Sequence, residues 1–160
     1  EALPARTEPF VFTGVWYTGL NEVPTGKVSD AFWRQLLAVR DEVNKVIEVA
    51  RKDGKIGASL QAEVTLFAEG ELGTQLLQLG DELRFVLMTS TAAVEVKAAP
   101  ADAVATAITG LAVQVVTSTA AKCDRCWHHR HDVGVNPAHP LICLRCVDNV
   151  EGAGEHRTFA

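Results

Sequence analysis

CDRCWHHRHDVGVNPAHPLICLRC, residues 123–146, contains every cysteine of the chain, as two C-x-x-C pairs separated by sixteen residues. That spacing is the pattern of a four-thiolate zinc site. Each short turn aims two sulfurs at one point, and the loop between the pairs returns the second turn to the first. Four thiolates close a tetrahedral shell and leave no position for water or substrate, so the expected ion is structural. Cys123, Cys126, Cys143 and Cys146 are the candidate ligands. Two disulfides are the alternative in a secreted chain. A redox C-x-x-C needs a strand-to-helix setting, whereas Cys123 follows a Thr- and Ala-rich run and opens a His-rich loop. His128, His129, His131 or His139 can replace one cysteine chemically, but four thiols make that substitution unnecessary. Gly134, Asn136, Pro137 and Pro140 suit the turns of a β-ribbon.

The rest of the chain is read outward from this unit. With 160 residues, 48% of them hydrophobic, the chain suffices for one or two small packed units. It begins at Glu1, which reads as a piece of something longer. No apolar run approaches the roughly 20 residues needed to span a membrane. No basic start followed by an apolar block marks a signal peptide. Cysteines in metal spacing suggest a reducing compartment, hence the cytoplasm. The net charge of −5 argues against indiscriminate nucleic-acid binding. Residues 121–160 are internally balanced, with Lys122, Arg125, Arg130, Arg145 and Arg157 against Asp124, Asp132, Asp148, Glu151 and Glu155. Nucleic-acid contact there depends on local placement of arginine and aromatic groups.

Three segments follow. Residues 1–57 comprise a loop-rich lead-in and one long helix. The lead-in holds Pro4, Pro9 and Pro24, and Phe10, Phe12, Trp16 and Tyr17 are expected to pack on a body outside this chain. In the helix, over 29–53, Phe32, Leu36, Val39, Val43, Val46 and Ala50 form one apolar stripe. Ser29 or Asp30 caps it, and Gly54 stops it. Asp41 with Lys45 and Glu48 with Lys52 are expected surface pairs. A lone helix cannot bury such a stripe, so it is expected to join a helical bundle.

Residues 58–120 read as a small α+β junction unit. Alternation from Leu60 to Ala68 marks a strand, and Leu72, Leu76 and Leu79 mark a short helix after Gly70. Leu83 to Met88 is ambiguous. Val94 and Val96 mark a short strand, Leu111 to Val116 another, and Ala98 to Ala107 a weakly ordered connection. No catalytic constellation is visible there. Residues 121–160 form the zinc-binding domain. The fold class is α+β.

KCDRCWHHRHDVG (122–134) and ICLRCVDNVEGAGEHRTFA (142–160) resemble the carboxyl end of bacterial isoleucyl-tRNA synthetases. FVFTGVWYTGL (10–20), DAFWRQLLAVRDEVNKVIEVARKDGKIGASL (30–60) and LGDELRFVLMTS (79–90) resemble the segment before it. The resemblance implies the end of the anticodon-binding region, with the long helix drawn from its bundle, a junction unit, and a terminal zinc domain at the anticodon end of tRNA. It also implies an ATP-dependent parent enzyme that attaches isoleucine to its tRNA. The signatures HIGH and KMSKS do not occur here, so ATP belongs to an absent catalytic domain and this piece alone is expected to be inactive. The zinc module also resembles the finger of formamidopyrimidine-type DNA glycosylases. That reading lacks the amino-terminal proline nucleophile. A further alternative is a purely structural clip on the parent enzyme.

For RNA contact, bases stack on aromatics and guanidinium planes while phosphates meet cations. Trp127 is the stacking candidate. Arg125, Arg130 and Arg145 are the cationic candidates, and His128, His129 and His131 are further donors. Trp127 can instead pack against the zinc unit. The expected partners are the tRNA for isoleucine and the remaining synthetase domains, with neither a membrane nor DNA.

Overall fold

The computed structural model describes residues 10–16, 18–19 and 28–159. The prolines at 4, 9 and 24, and Tyr17, lie outside the described residues. Helix α1, Asp30–Lys52, starts where Ser29 accepts a hydrogen bond from the Phe32 N–H at 3.2 Å. Its buried stripe is Phe32, Leu36, Val39, Val43, Ile47 and Ala50. Ile47, not Val46, continues the stripe, because steps of 4, 3, 4, 4 and 3 keep pace with 3.6 residues per turn. The surface pairs form at i,i+3: Glu42 with Lys45 and Glu48 with Arg51. Arg51 grips its partner with both Nε and Nη2, which the longer reach to Lys52 does not offer. Gly54 follows at φ +71°, a left-handed turn open to glycine.

Four strands form a sheet of order β2-β1-β4-β3. Strand β1 is Ala62–Ala68, β2 Thr91–Glu95, β3 Val104–Ala105 and β4 Leu111–Thr117. β1 and β2 run parallel; β1 with β4 and β3 with β4 run antiparallel. The parallel pair needs a crossover, supplied by α2 (Gly70–Leu77), a 3-10 turn at Gly80–Glu82 and α3 (Leu83–Leu87). The ambiguous stretch at 83–88 is thus helical up to Leu87, with Met88 closing it at φ +57°. β2 begins before Val94, and β3 falls inside the stretch read as a weakly ordered connection. It pairs Val104 with Val113 and Ala105 with Ala112.

Ala62, Val64, Leu66 and Ala68 alternate onto one face, in register with Val115, Val113 and Leu111 of β4. That face, α1, α2 and α3 share one hydrophobic core. The stripe of α1 is therefore covered by this chain's own sheet and short helices, in place of the helical bundle expected from sequence. The core runs through residues of both the 1–57 and the 58–120 segments. In contrast, Phe12 and Trp16 of the lead-in are more than nine-tenths exposed. Among the described residues, no helix is long and apolar enough to cross a membrane.

The α+β class is as expected, but the zinc unit is not a ribbon. Its β-pairing is one isolated bridge between Lys122 and His129. The second cysteine pair opens a helix, α4, Leu144–Glu151. Prolines 137 and 140 remove ladder donors from the intervening loop, which turns instead of pairing.

Gly73 sits in α2 against the end of β1, and a Cβ there would collide with the Ala68 carbonyl. Gly73→Ala is expected to destabilise the fold by about 1–3 kcal/mol. At exposed Leu77, substitution by Ala should stay within about 0.5 kcal/mol. Chemical denaturation of both variants checks the contrast.

Candidate metal centre and nucleic-acid surface

The local chain folds to aim sulfur inward. After Cys123 the backbone turns so that the Trp127 N–H donates to the Cys123 carbonyl at 2.8 Å. Trp127 takes φ +66°, which a bulky residue adopts only when its surroundings enforce it. The second pair sits at the start of α4, where the Cys143 N–H donates to Cys123 Sγ at 3.4 Å. Backbone donors and a helix N-terminus both favour negative sulfur.

The four Sγ atoms lie within 4.8 Å of one another. Cys123 and Cys146 are 3.7 Å apart, and Cys126 and Cys143 are 3.8 Å apart. Tetrahedral zinc with arms of about 2.3 Å requires sulfur–sulfur edges of about 3.8 Å, whereas a disulfide requires about 2.0 Å. The cluster therefore fits a zinc ion and excludes the disulfide alternative. Three of the cysteines are fully buried, and Val133 and Ile142 pack against them. The closed shell suits a structural ion.

The thiols are unequal without a metal. Burial pushes Cys143 up to about 12. Burial also works against ionised Cys123, yet the backbone N–H groups of Cys126, Cys143 and Arg125 bring it down to about 6. Arg125 Nη1 lies 3.7 Å from Cys146 Sγ, placing a cation beside the sulfur cluster.

Three of the candidate histidines are engaged elsewhere. His128 is buried, with Nδ1 3.1 Å from the Cys126 carbonyl and its ring edge-on to Phe85 at 5.9 Å. Burial, with Arg84 nearby, holds it below the ordinary histidine range, so it is neutral. His129 Nδ1 is 2.9 Å from the Ala120 carbonyl, and its N–H donates to Ser90 Oγ at 2.6 Å. His139 pairs with Glu151 at 2.7 Å. His131 is exposed.

The cationic candidates separate into two places. Trp127 is 60% exposed, and its ring lies 5.5 Å from Lys122 Nζ. Arg130 and Arg145 instead line a cavity with Arg84 on the α/β unit. Sequence reasoning does not reach Lys122, Ser90, Phe85 and Arg84 as site residues, although all four lie in segments that carry the family resemblance. The last three lie more than thirty residues before the first cysteine, and no motif links them to it.

Against this geometry, residues 121–149 match a family model described as a zinc finger found in FPG and IleRS. The whole chain is 52% identical to the isoleucine–tRNA ligase of Pseudoalteromonas atlantica and 56% identical to that of Shewanella putrefaciens. It spans 17% of the length of these relatives, their carboxyl-terminal part. The finger and the four-sulfur cluster together support one structural zinc. The glycosylase reading is not favoured, because the match to the ligases runs through all of the chain.

Metal binding must displace protons from the thiols. Zinc affinity is therefore expected to fall as pH drops toward about 6, where Cys123 itself becomes protonated. Cys143→Ser should lower zinc content well below about one ion per chain. Competition with a chromophoric chelator across pH checks the first, and elemental analysis the second.

Proposed function

We propose that this chain, which corresponds to the carboxyl-terminal part of the isoleucine–tRNA ligases and carries their zinc finger, is the tRNA-binding end of such an enzyme. Cys123, Cys126, Cys143 and Cys146 hold one zinc ion, and the shape it fixes presents Trp127 to the anticodon end of the tRNA for isoleucine. The parent enzyme attaches isoleucine to that tRNA with ATP, through a catalytic region outside this chain. The piece alone does not aminoacylate. It works in the cytoplasm, where reduced thiols remain available to metal.

The observation that carries this reading is the exposure of the Trp127 indole beside the sulfur cluster. The ring is large, apolar and 60% exposed, on a knuckle whose neighbouring Cys126 is tied into the centre. A ring covering the zinc unit would be buried. Lys122 beside the ring adds a cation for the backbone of a stacked nucleotide. The exposed Phe12 and Trp16 support the other synthetase domains as the second partner.

Stacking of a base on an aromatic ring contributes about 1–3 kcal/mol. Trp127→Ala is therefore expected to weaken tRNA binding by about tenfold or more while zinc content is unchanged. Filter binding and elemental analysis on the same preparation test this. Equal loss of zinc and tRNA would assign the ring to the metal unit's own stability.

A further inference from the structure

A second feature lies where the zinc unit meets the α/β unit. Phe85 of α3 is the centre of a cluster of guanidinium groups. Arg84 lies 4.1 Å from its ring centroid, Arg145 5.3 Å and Arg157 3.8 Å. These groups border a cavity of about 360 Å3, whose lining also includes Arg130.

Arg84 is 2% exposed. Its Nε donates to Asp81 at 2.8 Å, but its Nη1 is buried and has no hydrogen-bond partner. An unmet donor on a buried charged group is rare in native folds and calls for an explanation. Arg130 approaches Asp81 and Asp132 only at 3.8 Å, beyond hydrogen-bond distance. The carboxylates around the cavity are already committed. Asp81 serves Arg84; Glu82 accepts from the Thr158 and Phe159 N–H groups, both at 2.6 Å; Glu155 serves Arg145 and Arg157, both at 2.8 Å. With Asp132 beside Arg130, four carboxylates face the four arginines of the lining, and the unmet group among the arginines is Arg84 Nη1.

We propose that this cavity is a phosphate site that receives a backbone phosphodiester of the bound tRNA, with Arg84 Nη1 as its buried donor and Arg130 and Arg145 at its sides. It rests on the tRNA-binding reading above and adds a second contact, apart from Trp127 and on the α/β side of the zinc unit. Guanidinium groups gathered close to one aromatic ring carry the planar donor sets that suit a phosphate. A phosphate there would fix the register of the RNA and carry no base preference.

The test titrates the zinc-loaded chain with inorganic phosphate and follows the Arg84 Nε–H and Phe85 ring resonances. It then repeats the titration with tRNA present. Saturable movement of both signals, displaced by tRNA, is the expected result. Arg130→Gln, on the rim, should weaken phosphate binding and reduce the salt slope of tRNA affinity by about one, with zinc retained. Arg84→Lys probes the buried donor, with thermal unfolding as its check on folding. Phosphate that leaves Phe85 unmoved overturns the site. Phosphate that binds but is not displaced by a tRNA whose affinity depends on Trp127 overturns the RNA backbone as its source and leaves the functional reading standing. Absence of any tRNA binding overturns both, and the phosphate titration then separates a free-anion pocket from a structural weld.

Discussion

Four sulfurs meeting at one point are what the carboxyl-terminal quarter of this molecule depends on. Residues 121–151 contain little else that can hold a fold. The apolar groups packed on the cluster are Val133 and Ile142, while Val135, Leu141 and Val150 are exposed. At about 1.5–3 kcal/mol per fully buried aliphatic side chain, so few residues cannot offset the cost of ordering some thirty. Metal–thiolate bonding supplies the difference, which is the general logic of small zinc modules. The left-handed Trp127, the Cys143 N–H on Cys123 Sγ and the N-terminus of α4 are then consequences of bringing four sulfurs to tetrahedral distance.

The module does not stand apart from the α/β unit. Ser90, fully buried at the start of β2, donates its hydroxyl to the Leu60 carbonyl and accepts the His129 N–H. One hydroxyl thus joins the approach to β1 with the zinc knuckle. His128 packs edge-on to Phe85, and the chain end returns to Glu82. Glu155 is held down to about 2 by its bonds to Arg157 and Arg145, so these contacts persist throughout the physiological range. The sheet, the tail and the zinc knuckle consequently position one another, and Trp127 projects from a supported base.

How much of this was legible in the sequence varies with how local the cause is. The cysteine spacing, the Ser29 cap and the stripe of α1 are written within a few residues of the structure they produce. The βαβ crossover was partly legible, since Leu72, Leu76 and Leu79 mark its helix. What covers the stripe was not legible, because a helix pattern says that a face is buried and not by what. The ribbon expected in the zinc loop gave way to turns because the prolines oppose pairing, and α4 was not legible because periodicity is weak across eight residues. The roles of His128 and His129 depended on Phe85 and Ser90, which lie some forty residues earlier. No local rule connects them, and a histidine beside a cysteine pair looks the same whether it faces solvent or a neighbouring domain.

A zinc-fixed knuckle that presents Trp127 to the anticodon end of the tRNA makes the indole itself a reporter of RNA contact. The most direct measurement follows the indole N–H resonance of Trp127 in the zinc-loaded chain, during titration with an anticodon stem-loop of the tRNA for isoleucine and, separately, with an acceptor-stem minihelix. The account predicts a saturable shift of that resonance with the stem-loop and little with the minihelix, while Trp33, packed against the core, stays still. An unmoved Trp127, or equal response to both RNAs, would contradict it.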